Sequence, residues 1–133
     1  MPFILDQRLD NDTIEIGHLP LSTVRLMNNQ RFPWLILVPR IANISELFEL
    51  STENQQQLIA EISLVSQRMK AHLLADKINV EMLGNKVSQL HIHIIARFQN
   101  DPAWPMPIWG QELVPYSPEK LQKMLKELRF LVE

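Results

Sequence analysis

The chain has 133 residues, of which 46% are hydrophobic and 21% charged, and its formal net charge at pH 7 is −2. This composition excludes a disordered chain, and the length suits one domain with one core. The weak charge provides no field that would attract nucleic acid or an acidic membrane. The lack of cysteine excludes disulfides and cysteine-bound metals. No apolar run reaches the ~18 residues of a membrane span, and residues 1–10 lack a signal-peptide pattern. We therefore predict one cytoplasmic domain over 1–133, with neither nucleic acid nor a membrane as partner.

The first third of the chain predicts a hairpin after an irregular start. Residues 1–20 contain scattered Asp, Asn, Gly and Pro, so regular elements there should be short. Residues 22–27 and the apolar run 34–38 are predicted strands. The asparagine-rich segment between them favours a loop, because asparagine tolerates left-handed turn geometry.

The middle of the chain predicts helical structure. Ser45 is expected to cap a short helical turn. Thr52, with Gln55 three residues later, has the spacing of a capping box and predicts a long helix that ends near Asp76. The apolar stripe of this helix consists of Leu58, Ile59, Ile62, Val65 and Met69.

The last third predicts two strands, a loop and a helix. The strands cover 78–83 and 89–98, with a turn at Gly84-Asn85 between them. Residues 101–118 hold five prolines and two tryptophans, which indicates an ordered loop. Ser117 and Pro118 are predicted to begin a final helix. Its apolar stripe consists of Leu121, Met124, Leu125, Leu128 and Leu131.

The segment 89–97 contains two histidines at alternate positions, which are the candidate functional residues of the chain. Side chains alternate between the faces of a strand, so Gln89, His91 and His93 are expected to stand in a row, roughly 6–7 Å apart. The opposite, core face has Leu90, Ile92, Ile94 and Ala96. A neutral imidazole is a nucleophile and a base, and a protonated one donates to phosphate oxygens. The row therefore suits an extended anion such as a polyphosphate chain.

The spacing alone leaves three interpretations open: a phosphate site, a metal site and a structural pair. A His-x-His pair on a strand is half of a zinc site and needs a third ligand. The other histidines are His18, in the irregular N-terminal segment, and His72, which is expected to face solvent late in the long helix.

The segment 84–97, Gly-Asn-Lys-Val-Ser-Gln-Leu-His-Ile-His-Ile-Ile-Ala-Arg, resembles the signature of the histidine-triad superfamily. That signature is Gly-Gln-Ser/Thr-Val, one residue, then three histidines alternating with apolar residues. The strand 34–40, Trp-Leu-Ile-Leu-Val-Pro-Arg, also resembles a strand of the family, and a long helix separates it from the motif as in the family. The resemblance covers roughly residues 20–98.

The resemblance implies roles for the motif residues. His91 aligns with the middle histidine, which is the family's nucleophile, and His93 with the last one, which holds the phosphate. Gln89 replaces the first histidine. Its amide can still hydrogen-bond to a phosphate but cannot change protonation. Asn85 and Lys86 align with phosphate-contacting residues.

The resemblance also implies where the ribose of a nucleotide would bind, and two tryptophans are candidates for contact with its base. Asn28 aligns with the ribose-binding position of the family. Trp104 or Trp109 could stack on a base, although packing is the more common role of a tryptophan.

The resemblance implies an α+β fold, with an antiparallel sheet of about five strands, one long helix and a C-terminal helix, in a homodimer. The implied function is a nucleotide hydrolase or nucleotidyl transferase that cleaves a dinucleoside polyphosphate or nucleoside phosphoramidate type of bond through a nucleotidyl-histidine intermediate. No cofactor is implied, although a divalent cation can accompany the substrate. The alternatives are a non-catalytic nucleotide-binding module and a metal protein that uses His91 and His93.

Overall fold

A computed structural model describes all residues, 1–133. The three helices are α1 (Gln7–Asp12), α2 (Thr52–Leu73) and α3 (Pro118–Leu128). The five strands are β1 (Thr13–His18), β2 (Ser22–Met27), β3 (Trp34–Pro39), β4 (Lys77–Glu81) and β5 (Ile92–Arg97). They form one sheet in the order β1-β2-β3-β5-β4, and every neighbouring pair is antiparallel. The predicted α+β fold is therefore confirmed.

The interior strand β5 is buried on both faces, which explains its nearly continuous apolar sequence. On one face, Ile92 and Ile94 pack in the larger core with side chains of α2 and α3. On the other face, Ile95 packs in a smaller core with Trp34 and Ile36 of β3. His91 and His93 lie on this second face, since they alternate with the residues of the first.

The long helix α2 forms near its predicted position, with two differences. Its N-cap is Ser51, whose hydroxyl accepts from the Asn54 N–H, and not Thr52. Ile59 is half exposed, whereas Glu61 is buried because its carboxylate accepts from the backbone N–H groups of Leu21 and Ser22. The helix ends at Leu73, three residues before Asp76.

Other boundaries also differ from the prediction. Glu46 and not Ser45 caps the short 3-10 helix Leu47–Glu49. Residues 1–20 include α1 and β1, and β1 is an edge strand with a bulge between Glu15 and Gly17. At the other end, Ser117 caps α3 as predicted, by accepting from the Lys120 N–H.

Residues 98–116 form an ordered loop, as the tryptophans predict, and Arg97 anchors it. The Arg97 guanidinium is only 2% exposed and donates to the Asp101 carboxylate at 2.8 and 3.1 Å. It also donates to the side chain of Asn79 and to the Met106 carbonyl. Because no helix is both long and apolar enough, none could cross a membrane.

Candidate active site

A cleft of about 360 Å³ lies on the second face of the sheet, where the chain enters β5. Sites for small molecules typically measure about 300–1,000 Å³. Its apolar lining consists of Leu9, Met27, Trp34, Ile36, Leu83, Val87 and Trp109. Its other lining residues are Asp12, Gly84, Asn85, Lys86, His91 and His93. An apolar wall opposite a few polar groups suits a ligand with an aromatic and an anionic part.

His91 offers one free ring nitrogen in this cleft. Its Nδ1 lies 2.7 Å from the Gln89 carbonyl oxygen. A carbonyl can only accept, so Nδ1 carries the proton and donates, and Nε2 keeps its lone pair. Burial lowers the pKa of His91 below its usual value of 6.5, so the ring is neutral at physiological pH. These are the tautomer and charge that a nucleophilic imidazole requires.

His93, in contrast, has a protein partner on each nitrogen. The Trp34 indole N–H donates to Nδ1 at 3.1 Å, and Nε2 lies 3.1 Å from the Leu83 carbonyl oxygen. The ring is therefore the Nε2–H tautomer. Burial, with the neighbouring His91 as a second cause, lowers the pKa of His93 to about 4. In this structure both ring nitrogens of His93 have protein partners and the ring is uncharged, and its phosphate-binding role stays a prediction.

The loop 84–87 supplies unused donors beside His91. No backbone N–H of these four residues donates a hydrogen bond within the protein. Successive free N–H groups form anion-binding sites in many loops. Arg8 holds the loop from outside by donating to the Lys86 carbonyl at 2.8 Å. The side chains of Asn85 and Lys86 are exposed at the cleft, where their predicted phosphate contact is geometrically possible.

The loop needs a glycine where it passes His91. A Cβ on Gly84 would lie 2.8 Å from the Val87 carbonyl oxygen and 3.5 Å from the His91 Cε1. The first distance is shorter than real contacts allow, and the second is ordinary van der Waals contact. The tight turn of the loop from residue 84 to residue 87 therefore depends on the missing side chain.

Gln89 does not stand in a row with the histidines, and its side chain has partners within the protein. The strand begins at Ile92, so the alternation does not extend back to Gln89. Its side chain instead binds the N-terminal segment. The amide oxygen accepts from the Asp6 N–H, and the amide nitrogen donates to the Ile4 carbonyl, both at 2.8 Å. Gln89 thus fixes the segment that leads into α1.

Asn28, the predicted ribose ligand, does not line the cleft. Its side-chain oxygen accepts from the Tyr116 N–H at 2.9 Å, so it secures the loop before α3. Asp12, at the end of α1, is the carboxylate that does line the cleft. The sequence offered no signal for Asp12, because its place depends on how α1 packs against the sheet.

The two tryptophans of the proline-rich loop have different surroundings. Trp109 lines the cleft, with its ring centroid 5.0 Å from that of His93, and its indole N–H donates to the Glu81 carboxylate. Trp104 lies over the Arg97 guanidinium, 5.9 Å from the ring centroid, and not in the cleft. Trp109 is therefore the tryptophan that a ligand would meet.

The other histidines lie outside the cleft. His18 pairs with Glu15 at the surface, and His72 pairs with Glu127 and packs against Phe130. No group of three or more His, Cys, Asp or Glu side chains is arranged to hold a metal ion.

Comparison with known proteins gives consistent matches. The sequence model of the HIT domain family matches residues 8–100. A histidine triad protein from Bradyrhizobium japonicum is 42% identical over 100% of both chains, with a TM-score of 0.96. One from Marinobacter aquaeolei is 45% identical over 99% of this chain and 97% of its own, with a TM-score of 0.97. A third, from Sinorhizobium meliloti, is 46% identical over 95% and 94%, with a TM-score of 0.91. No curated protein matched the chain.

Proposed function

The chain belongs to the HIT domain family, and from this we propose that it is a nucleotide hydrolase or nucleotidyl transferase with His91 as nucleophile. Nucleotide binding and hydrolase-type activity are general for the family. The observation that carries the proposal for this chain is the free Nε2 of a neutral His91 in a cleft with unused backbone donors.

The proposed reaction has two displacements at phosphorus. The Nε2 lone pair forms a bond to the phosphorus of a nucleoside phosphate, and the leaving group departs with the electrons of its bond. The Gln89 carbonyl, which accepts from Nδ1, stabilises the positive charge that develops on the ring. Water then attacks the phosphorus, the P–N bond breaks, and a nucleoside monophosphate leaves as Nε2 regains its lone pair.

The cleft suggests how the nucleotide lies. The N–H groups of the loop 84–87, with the Lys86 ammonium, would bind phosphate oxygens. The apolar wall, which includes Leu9 and Trp109, would hold the base. A dinucleoside polyphosphate and a nucleoside phosphoramidate both present these parts. We expect no resident metal, although a divalent cation can arrive with the substrate.

The first experiment compares the wild type with His91→Asn and with His18→Asn, whose site lies at the surface. Each is incubated with dinucleoside polyphosphates and with adenosine phosphoramidate. We expect turnover by the wild type and His18→Asn but none by folded His91→Asn. Intact-mass spectrometry after rapid denaturation at alkaline pH, which preserves the P–N bond, should find a nucleotidyl adduct only where His91 is present. Turnover by His91→Asn would refute the assignment.

A second candidate is a non-catalytic nucleotide-binding module. One observation favours it: no second free imidazole nitrogen lies beside His91. Position 89 has an amide that binds the N-terminal segment, and both ring nitrogens of His93 have protein partners. Binding of a nucleoside monophosphate without turnover or adduct would support this candidate, and one metal ion per purified chain would support a metal protein instead.

We propose a homodimer formed at the free edge of β4. This strand pairs with β5 on one side only, so its other side has unpaired backbone groups. Val80, Met82 and Leu83 are exposed here. A second copy of the chain would pair these backbone groups and cover these side chains. Light scattering should give twice the mass of 15.5 kDa, and Val80→Lys should lower the measured mass to that of one chain.

A cytoplasmic location stays a prediction.

A further inference from the structure

Two aromatic rings and a carbonyl form a hydrogen-bonded chain across the wall of the cleft. The Trp34 indole N–H donates to His93 Nδ1, and His93 Nε2–H donates to the Leu83 carbonyl oxygen. Both donor-to-acceptor distances are 3.1 Å. Trp34 is 6% exposed and His93 4%. These two hydrogen bonds join the start of β3 to the residue that precedes the loop 84–87.

Trp34 determines which nitrogen of His93 donates and which accepts. An indole N–H can only donate, so it requires an unprotonated Nδ1. A protonated His93 would point a second N–H at the indole, and one of the two donors would lose its partner. Trp34 thus favours the neutral ring, and in that ring the proton on Nε2 faces the Leu83 carbonyl.

The Leu83 carbonyl in turn precedes the part of the loop that contacts the nucleophile. Gly84 follows directly, and the position of its missing Cβ lies 3.5 Å from the His91 ring. A carbonyl held by a buried donor cannot shift by an ångström without breaking that bond. The His93 bond therefore fixes where the loop 84–87 starts relative to His91.

We propose that Trp34 is a positioning residue of the cleft, which holds His93 as a neutral Nε2–H donor and thereby anchors the loop beside His91. His93 then acts as a brace between β3 and the loop. This inference goes beyond the proposed chemistry, since it concerns the tautomer and the loop in the protein without substrate.

Charged and titratable groups lie around His93 on several elements of the fold. His91, in the same chain segment, disfavours a second charge on His93. Glu81, opposite His93 on β4, would favour one, but its carboxylate accepts from Trp109. Lys86 of the loop and Asp12 of α1 line the same cleft with opposite charges. Burial adds to the effect of Trp34, because it lowers the pKa of His93 to about 4.

The test is an NMR titration of the histidine rings in the wild type, Trp34→Phe and the control Trp104→Phe. Long-range nitrogen–proton spectra identify the protonated nitrogen of each ring. In the wild type we expect His93 to be protonated on Nε2 alone at neutral pH. In Trp34→Phe the pKa of His93 should rise by about one unit, the value of one neutral hydrogen bond. The backbone order parameters of residues 83–87, from nitrogen-15 relaxation, should also fall. Trp104→Phe should change neither.

Protonation of Nδ1 in the wild type, or an unchanged His93 pKa in a folded Trp34→Phe, would overturn the inference. If Trp34→Phe does not fold, the pair His93→Gln and His93→Leu decides. A glutamine amide can accept from Trp34 and donate to Leu83, whereas leucine can do neither. High backbone order parameters in residues 83–87 should thus persist only in His93→Gln, and equal order parameters in the two variants would refute the brace.

Kinetics provide a separate readout where the substrate panel gives turnover. Displacement of the loop should lower kcat of Trp34→Phe by about tenfold or more, with a smaller change in KM, because geometry at the reacting phosphorus is lost. An unchanged kcat would contradict the role of Trp34 in positioning. If the wild type turns over nothing, the proposed function fails while the NMR result on Trp34 still stands.

Discussion

Acidification should destabilise this protein through His93, well above the pH at which carboxylates are protonated. The ring is buried, and its pKa is lowered from 6.5 to about 4. Between these pH values the unfolded chain binds a proton at this position and the folded chain does not. The free energy of unfolding therefore falls as the pH falls from 6.5 to 4, and this contribution is fully present above 6.5.

The size of the effect follows from the two pKa values. They differ by about 2.5 units, and each unit corresponds to about 1.4 kcal/mol, so the loss approaches about 3 kcal/mol. Typical domains have a stability of about 5–15 kcal/mol, so this loss is a large fraction. His91 acts in the same direction, because its pKa is also lowered.

The assay is urea unfolding, followed by tryptophan fluorescence, at pH values from 7.5 to 4. The matched variant is His93→Gln, which keeps an acceptor for Trp34 and a donor for Leu83 but does not titrate. Its stability should fall by about 3 kcal/mol less than that of the wild type over this range. The difference between the two curves removes the contributions of all other groups. Parallel curves between pH 6.5 and 4 would refute the reasoning.

Three further predictions concern residues around the cleft. Gly84→Ala should lower turnover by about tenfold or more, because the new Cβ would lie 2.8 Å from the Val87 carbonyl oxygen and would force the loop beside His91 to change shape; steady-state kinetics measure the loss, and thermal unfolding checks that the variant stays folded. Gln89→Leu should lower the free energy of unfolding by about 1–3 kcal/mol, since two hydrogen bonds to the N-terminal segment are lost. It should also speed amide exchange in residues 4–9. Urea unfolding measures the first effect and hydrogen-exchange mass spectrometry the second. Arg97→Met should lower the free energy of unfolding in urea by about 1–3 kcal/mol, because the Asp101 carboxylate loses its charged partner and keeps only its backbone donors.

Local signals predicted most of the elements. The strand 22–27 was predicted with the bounds of β2, and Ser117-Pro118 identified the start of α3, because alternation and capping involve residues close in the sequence. The strand β1 was missed, since Gly17 and the bulge beside it interrupt its alternation. Its pairing with β2 supplies the stability that its own sequence does not indicate.

The candidate site was predicted where its contacts are local and mispredicted where they are remote. His91 takes its partner from Gln89, two residues earlier, so the motif contains what orients the nucleophile. Gln89 and Asn28 find their side-chain partners 83 to 88 residues away, at Asp6, Ile4 and Tyr116. No spacing rule within the motif could have predicted that these amides bind the N-terminal segment and the loop before α3.

His93 extends this reasoning to the chemistry. Alternation correctly places it on the face of His91, and the motif alone makes the two rings look equivalent. Trp34, 59 residues earlier, makes them different by occupying Nδ1, and the Leu83 carbonyl occupies Nε2. The number of imidazoles available for chemistry is thus set by donors and acceptors outside the motif. Because only His91 keeps a free nitrogen, the charge for binding phosphate must come from the loop 84–87 and Lys86, and affinity should therefore not rise as the pH falls from 7 to 5.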